Sequence, residues 1–451
     1  MQPTTKKKDI NEELYKRAYE CIAGGQLGNF KQGAGDRPTF IERYDDSGPY
    51  YYDYDGNKYY DFCLSYGPSI LGGNNDALRK ALVDQINQGY TKDFKLVQIE
   101  AAEKIKSVVK GIDLLRFTLT GTEANMQVMR VARAYTRKNM IVKFDAHYNG
   151  ATDPLLGGVV ADPANPIAQN AVDANDAYNG FTSTEGRAKH ALDDMYILPW
   201  NDLGALQNLL ERYGDDIAGI LMEPWPVNIH GCKPEPGYLE SMRELCTRHN
   251  VVMIFDEILT GFRLHIGGAS EYFGVQPDLW TFSKALGGGF PVSAYGGKRE
   301  FMDTVSRCEV LASGTFAGYP IGCAAIISVI DQLSANDCEI LRRIERLGTM
   351  LSDGFKKAAE RQNVPLVMQG FPGAIIPVFT QKEKIINNRD AIESADMDAY
   401  WYFASRMNKL GIANLQRYCV GADHKEKDIE YAVGVAEEVF AEIADKRHLG
   451  H

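Results

Sequence analysis

Short apolar runs alternate with amphipathic helical patterns through the middle of the chain. Six apolar runs lie at residues 114–119, 140–144, 195–198, 217–222, 251–255 and 279–282. Helical patterns fill the segments between them, as at residues 123–137. Buried strands that alternate with helices are typical of a mostly parallel sheet with helices on both faces. The pattern therefore predicts an α/β fold, with a large domain at residues 75–320.

The two ends of the chain carry a different pattern. Tyrosine-rich β-type runs lie at residues 39–44, 50–54 and 58–62. Turn signals separate them, which predicts a small antiparallel meander. After residue 320, long helical patterns surround one β-like run at residues 374–379. We expect residues 1–74 and 321–451 to combine into a smaller α+β domain beside the large one.

Composition and charge exclude several classes of protein. The 451 residues are 45% hydrophobic and 24% charged, with a formal net charge of −11, so neither nucleic acid nor an anionic membrane is expected as a partner. No apolar run approaches the roughly 20 residues that span a bilayer. The eight cysteines include no C-x-x-C pair and no metal-binding spacing. We therefore expect reduced thiols, no metal centre and a cytoplasmic location.

A candidate anion site follows the apolar run at residues 114–119. Thr120, Gly121 and Thr122 come next and open a helical pattern. The free amides and the dipole at a helix N-terminus favour a phosphate there, and glycine allows close approach of the backbone. The alternative is an ordinary helix start with Thr122 as the N-cap residue.

Two charged residues follow two further predicted strands. Asp256 comes directly after an apolar run, so its carboxylate is expected to be buried and to need a cationic partner. A protonated pyridine nitrogen would supply one, and an ion pair with Arg263 is the alternative. Lys284 follows the next run and precedes three glycines, which suits a desolvated amine able to form an imine. A solvent-facing lysine is the alternative at that position.

The order and spacing of these residues resemble those of pyridoxal phosphate enzymes of fold type I. Three strings are similar to those of class III aminotransferases, among which glutamate-1-semialdehyde aminomutase and its aminotransferase relatives look closest. They are FDEILTGFR at residues 255–263, SKALGGGFP at residues 283–291 and GTFAGYP at residues 314–320. The resemblance implies a mostly parallel, seven-stranded central sheet flanked by helices. It also implies pyridoxal 5′-phosphate as cofactor and a homodimer with shared active sites.

The resemblance assigns roles to individual residues. Lys284 is expected to be the Schiff-base lysine, and Asp256 the partner of the pyridine nitrogen. The other expected cofactor-binding residues are Gly121 and Thr122 at the phosphate, Tyr148 and Ile258 on the two faces of the ring, Glu223 and Asn228 near its phenolic oxygen, and Thr315 at the phosphate of the neighbouring subunit.

Four departures from the family pattern concern the substrate. Asn149 replaces the histidine that commonly follows the stacking aromatic residue. Residues 151–189 form a longer glycine- and proline-rich stretch than the gating loop of the aminomutases, and residues 24–31 lack the arginine of their substrate entry. The segment at residues 414–421 does not match their glutamate-bearing stretch and offers Arg417 instead.

Arg417 is the candidate for binding a substrate carboxylate, because a guanidinium presents two parallel donors to such a group. A surface arginine near the last helix is the alternative. Tyr66 is a second candidate for substrate contact, with plain core packing as the alternative.

The departures favour an aminotransferase that transfers an amino group from an amino acid or amine, including β- and D-amino acids, to a keto acid by a ping-pong mechanism. An isomerase with the same cofactor, either an aminomutase or a racemase, is the alternative. A non-catalytic scaffold is disfavoured because both Lys284 and Asp256 are present. A dehydrogenase is disfavoured because the glycine turn lacks the G-x-G-x-x-G spacing.

Overall fold

The computed structural model describes residues 9–27, 38–158, 186, 188, 190–228, 230–415 and 417–448. The strands of these residues are β1 (Ile41–Tyr44), β2 (Tyr50–Asp53), β3 (Lys58–Asp61), β4 (Leu114–Thr118), β5 (Met140–Phe144), β6 (Met195–Leu198), β7 (Ile217–Met222), β8 (Val252–Asp256), β9 (Leu279–Phe282), β10 (Ser293–Gly297), β11 (Val367–Phe371), β12 (Ala374–Val378) and β13 (Ile412–Ala413). Most of the predicted loop at residues 151–189 and the end of the stretch at residues 24–31 lie outside the described residues.

The α-helices of the same residues are α1 (Ile10–Cys21), α2 (Asp76–Asn87), α3 (Leu96–Val108), α4 (Gly121–Thr136), α5 (Leu203–Tyr213), α6 (Tyr238–His249), α7 (Gly268–Phe273), α8 (Arg299–Ser306), α9 (Pro320–Arg361), α10 (Asn388–Ser394), α11 (Met397–Lys409) and α12 (Glu426–His448). Helix α9 is interrupted at residues 335–338, three of which adopt left-handed backbone angles.

One seven-stranded sheet forms the centre of the molecule, in the order β4-β10-β9-β8-β7-β5-β6. Strand β10 is antiparallel to both of its neighbours, and the other pairs are parallel. Every residue of β7, β8 and β9 is buried, because helices cover both faces. The predicted mostly parallel, helix-flanked sheet is therefore confirmed. No apolar run predicts β10, because its five residues are mainly small.

A second sheet joins the two ends of the chain, in the order β1-β2-β3-β13. Its first three strands are antiparallel, as the meander pattern predicts. Strand β13 runs parallel to β3 and places Ile412 opposite Tyr60. Helix α9 packs against α12, α2 and α3, and so connects this part to the central sheet. The domain boundaries near residues 74 and 320 stay a prediction.

The described residues contain neither a membrane-spanning helix nor a metal-binding cluster. None of their helices combines the length and the apolar composition that crossing a bilayer requires. Among the same residues, no group of three or more His, Cys, Asp or Glu side chains is placed to hold a metal ion.

Candidate active site

The candidate residues meet at one edge of the central sheet. Asp256 is the last residue of β8, and Glu223 and Lys284 come one and two residues after β7 and β9. The segment with Tyr148 follows β5. Because these four strands are parallel, their carboxyl ends lie at the same edge, which is where open α/β sheets bind ligands.

Helix α4 begins at this edge with a capping box. Thr120 is the N-cap residue: its Oγ1 accepts the Glu123 N–H at 3.2 Å, and Glu123 Oε2 accepts the Thr120 N–H at 2.9 Å. The alternative in which Thr122 caps the helix is therefore wrong. Thr122 Oγ1 instead accepts the N–H of Ala151 at 3.3 Å. Within the described chain, the amides of Gly121 and Thr122 donate to no protein acceptor, so they are open to an anion.

Glycine at position 121 is required by close packing. A Cβ atom there would lie 2.4 Å from Cδ1 of Ile258, so Ile258 covers the start of α4. Gly150 has a similar constraint, because its Cβ would lie 2.8 Å from Oγ1 of Thr122. The backbone and Ile258 thus form a close-fitting wall around the helix N-terminus.

The carboxylate of Asp256 is 2% exposed and accepts three hydrogen bonds. Nδ2 of Asn125 and Nδ2 of Asn149 each donate to Oδ2 at 2.7 Å, and the Ile258 N–H donates to Oδ1 at 3.1 Å. Burial raises the pKa of Asp256, whereas these three donors lower it because they favour the anion. The donors are all neutral, and Asp256 forms no ion pair with a described residue, although the charge of Lys284 also lowers its pKa.

Arg263 is not the partner of Asp256, and that alternative is wrong. The Arg263 guanidinium is buried and donates to the carbonyl oxygens of Gly67, Gly373 and Val420. It therefore ties three backbone segments together and leaves Asp256 to another cation.

Lys284 opens a short 3-10 helix (Lys284–Gly287) with a left-handed backbone angle φ of 47°. The pKa of its amine is lowered to about 8: burial lowers it most and the charge of Arg417 acts in the same direction, whereas Glu223 and Asp256 raise it. In the described part of the chain, its Nζ forms no hydrogen bond or ion pair. Lys284 is therefore a partly buried, available amine and not a solvent-facing lysine.

Glu223 holds the backbone of the segment after β5. Its Oε1 accepts the Tyr148 N–H at 2.7 Å, and Asn228 Nδ2 donates to the same carboxylate at 3.3 Å. Nδ1 of His147 accepts the N–H of Glu223 at 3.0 Å. Two hydrogen bonds therefore connect the segment after β5 to the segment after β7. The pKa of Glu223 is raised to about 7, mainly by burial and also by the charge of Asp256.

The candidate substrate residues lie next to each other. Nη2 of Arg417 donates to the carbonyl oxygen of Tyr66 at 3.4 Å, and the charge of Arg417 lowers the pKa of Lys284. Among the described residues, Nε of Arg417 is buried without a hydrogen-bond partner and the guanidinium forms no ion pair. Tyr66 is 42% exposed, so it is not a core residue. Arg417 is partly buried and therefore not an open surface arginine.

Thr315 is exposed on the segment between α8 and α9. Its expected contact with the neighbouring subunit stays a prediction.

Four residues at the site have no role in the sequence prediction. Asn125 bridges the site, since its Oδ1 accepts the hydroxyl of Thr281 at 2.7 Å while its Nδ2 reaches Asp256. His147 is buried, and burial holds its pKa well below the usual value, so it is neutral. Lys143 is fully buried inside β5. The sequence does indicate that Lys143 is unusual, because a lysine interrupts an apolar run there. Nothing in the sequence around Asn125 or Thr281 indicates a role at the site.

The residues fit the expected cofactor. Asp256 is buried without an ion pair among the described residues and suits a protonated ring nitrogen, and Lys284 is an available amine for an aldehyde. The open amides of Gly121 and Thr122 suit a phosphate. These three features lie at one edge of one sheet, as binding of a single molecule requires.

Comparisons with known proteins agree with this geometry. The sequence profile of the class-III aminotransferases matches residues 31–416. The glutamate-1-semialdehyde 2,1-aminomutase of Alkaliphilus oremlandii is 33% identical over 446 residues, covering 97% of this chain and 99% of that protein. Glutamate-1-semialdehyde 2,1-aminomutase 2 of an Exiguobacterium species is 32% identical over 447 residues, covering 97% and 98%.

The same relationship is seen in three dimensions. The crystal structure of an omega-transaminase from Sphaerobacter thermophilus matches with a TM-score of 0.88 at 26% identity, covering 98% of this chain and 99% of that one. The fold is that of the fold-type I transaminases, and pyridoxal 5′-phosphate is the cofactor. On the match of its sequence over residues 31–416, this chain belongs to the class-III aminotransferases.

Proposed function

We propose that this enzyme is an aminotransferase that transfers an amino group between an amino acid or amine and a keto acid by a ping-pong mechanism. The observation that carries the proposal is the position of Arg417. Its guanidinium contacts the carbonyl oxygen of Tyr66 at 3.4 Å, its charge lowers the pKa of Lys284, and it has no carboxylate partner among the described residues. A partly buried guanidinium of this kind suits the carboxylate of an acid substrate.

When bound, pyridoxal phosphate acts as an electron sink for the carbon that carries the amino group. Gly121 and Thr122 would hold its phosphate, Tyr148 and Ile258 the two faces of its ring, and Asp256 its ring nitrogen. Glu223, with Asn228 as its support, would lie near the phenolic oxygen. All of these roles are parts of the proposal.

Lys284 has two roles in the proposed reaction. Its Nζ would bind the cofactor covalently and, once displaced by the substrate, would take the proton from Cα of the substrate and return it at the cofactor carbon. A pKa of about 8 supports this role, because a base works best when its pKa is close to the operating pH. The charge of Asp256 nearby favours the protonated amine after the transfer.

The substrate is proposed to be an acid whose carboxylate binds Arg417, with Tyr66 beside it. β- and D-amino acids belong to this class: a β-amino acid has one more carbon between its carboxylate and the reacting carbon, and a D-amino acid has the opposite configuration at that carbon. The bidentate geometry of arginine would fix the orientation of the substrate relative to Nζ of Lys284.

An aminomutase is the second candidate. The observation in its favour is that the two named relatives, which are 32% and 33% identical over 97% of this chain, are both called aminomutases. A racemase would use the same proton transfer at Cα. Either isomerase would turn over with a single substrate, whereas an aminotransferase needs a donor and an acceptor.

The test is a cofactor spectrum recorded during single half-reactions. An acidic amino donor should bleach the visible band of the bound cofactor, and a keto acid should restore it. Arg417→Gln should raise KM for acid donors at least tenfold and leave KM for amines without a carboxylate unchanged. The control Arg79→Gln changes an exposed arginine on α2 that pairs with Asp76.

Two results would contradict the proposal. Turnover of one substrate without lasting bleaching indicates an isomerase. An unchanged KM for every acid donor in Arg417→Gln removes the role of Arg417 in substrate binding.

A homodimer in the cytoplasm is also part of the proposal. Support comes from exposed apolar side chains close to Thr315: Phe316 is 54% exposed, and Phe94 is 85% exposed beside a cavity of about 680 Å³ that Gly314 also lines. Apolar patches of this kind commonly mark protein interfaces. Sedimentation at low concentration should give twice the monomer mass, and a monomer that retains full activity would contradict shared active sites.

A further inference from the structure

Lys143 is a fully buried cation inside the central sheet. It is the fourth residue of β5, and its Nζ donates to the carbonyl oxygens of His147 at 3.2 Å, Leu155 at 2.8 Å and Gly157 at 2.7 Å. No carboxylate forms an ion pair with it in the described residues. A buried charge is stable only when its hydrogen bonds are satisfied, and here backbone carbonyls satisfy all three.

The number of donors matters at this position. An ammonium has three N–H groups, which equals the number of carbonyls, whereas a neutral amine would leave one carbonyl without a donor. The pKa of Lys143 is lowered to about 7, because burial outweighs the opposite effect of the charges of Glu223, Asp256 and Asp145. The three carbonyl contacts also raise the pKa of Lys143, because they stabilise the charged ammonium.

The three carbonyls belong to the segment that faces the proposed cofactor. One peptide unit is bound at both of its polar groups: the carbonyl of His147 accepts from Lys143, and the N–H of Tyr148 donates to Glu223 at 2.7 Å. The plane of that peptide is therefore fixed. Tyr148 and Asn149 follow directly, and Asn149 reaches Asp256 at 2.7 Å. The far end of the segment is bound to the same ammonium at Leu155 and Gly157.

We propose that Lys143 is a positioning residue, which holds the segment at residues 145–158 so that Tyr148 meets the ring of the cofactor and Asn149 meets Asp256. Lys143 itself touches neither cofactor nor substrate in this proposal. The inference rests on the proposed roles of Tyr148 and Asp256 in cofactor binding.

The chain contains a matched control. Lys138 also donates to three backbone carbonyls, those of Gly214 at 2.8 Å, His249 at 2.9 Å and Asn250 at 3.0 Å. It lies before β5, at the opposite edge of the sheet. Lys138→Met therefore removes the same kind of contact at a place away from the proposed cofactor site.

The experiment compares Lys143→Met, Lys143→Gln and Lys138→Met with the unchanged protein. We expect the dissociation constant of pyridoxal phosphate to rise at least tenfold in Lys143→Met. Lys143→Gln, which keeps two N–H donors, should show a smaller rise. The circular dichroism of the bound cofactor should weaken in the same order. Lys138→Met should lower the melting temperature and leave both cofactor signals unchanged.

Hydrogen exchange supplies a readout that needs neither cofactor nor activity. In the unchanged protein, the amides of Ala146 and Leu156 should exchange as slowly as those of β5, and Lys143→Met should lose this protection while Lys138→Met keeps it. Rapid exchange of this segment in the unchanged protein overturns the proposal even if no Lys143 variant folds.

The remaining outcomes are distinct. Cofactor affinity within twofold of the unchanged protein in a folded Lys143→Met variant also overturns the inference. Absence of cofactor binding by the unchanged protein instead overturns the proposed function, and exchange then shows separately whether Lys143 holds the segment.

Discussion

Replacing Asn149 by alanine removes one of three donors from the carboxylate of Asp256. The lost contact is the 2.7 Å hydrogen bond from Nδ2 of Asn149 to Oδ2, and Asn125 and the Ile258 N–H remain. Because each of these donors favours the anion, the substitution should raise the pKa of Asp256. A more easily protonated Asp256 binds a protonated ring nitrogen less tightly.

The size of the effect follows from the type of hydrogen bond. A bond to a charged group contributes about 1.5–3 kcal/mol. Since about 1.4 kcal/mol corresponds to a factor of ten, cofactor affinity should fall by at most roughly 10- to 150-fold, the full amount applying if the bond strengthens only when the ring nitrogen is bound. Asn125 donates to the same oxygen atom and offsets part of the loss, which favours the lower end of that range.

The assay is a titration of the cofactor-free Asn149→Ala variant with pyridoxal phosphate between pH 5 and 8. Asp256 must be anionic to bind the ring nitrogen, so a raised pKa moves the acid limit of tight binding to higher pH. The control Asn57→Ala removes the same kind of bond, the 2.8 Å contact from Nδ2 of Asn57 to Oδ2 of Asp53 at the turn between β2 and β3, and it should change stability only. Unchanged affinity and an unchanged acid limit in Asn149→Ala would refute the reasoning.

Three further predictions concern packing and pH. Gly121→Ala places a Cβ 2.4 Å from Cδ1 of Ile258, and overpacking of about 1–3 kcal/mol should weaken cofactor binding in the same titration; unchanged binding would contradict the close fit. The hydrogen bond from Arg406 lowers the pKa of Glu442 to about 2, so this pair should stabilise the fold above pH 4.5 and lose its effect between pH 4.5 and 2. Both partners are about a third exposed, so Glu442→Gln should lower the free energy of unfolding in urea at pH 7 by under about 1 kcal/mol. A larger loss would contradict the classification of this contact as a weak surface ion pair. Phe403→Ala removes a core ring that is 1% exposed and should lower the free energy of unfolding by about 3–5 kcal/mol, whereas a loss under 1 kcal/mol would show that the site collapses.

Much of the central sheet could be predicted from the apolar runs, because strands that are buried on both faces consist almost entirely of consecutive apolar residues. Strand β10 could not, since Ser293–Gly297 has small residues and pairs through its backbone with β4 and β9. The start of α4 was predictable in principle, because Thr120 and Glu123 have the spacing of a capping box. The interpretation with Thr122 as the cap overlooked that spacing.

The candidate site shows a similar division. Asp256 and Lys284 follow apolar strands, so their place at the edge of the sheet follows from local pattern. Asn125 could not be predicted, because its partner Asp256 is 131 residues further along the chain. The proximity of Arg417 to Lys284 likewise depends on how the C-terminal part of the chain packs on the central sheet.

The sheet that joins both chain ends has a consequence for how the protein is made. Strand β3 pairs with β2 at once, but its other edge must wait for β13, about 350 residues later. At a synthesis rate of about 5–20 residues per second, that delay is roughly 20–70 seconds. During this time the ribosome-bound chain exposes an unpaired strand edge, which is a site for aggregation or for a chaperone. Nascent chains stalled before residue 412 should therefore be protease-sensitive near β3, and they should become resistant once β13 has left the ribosome.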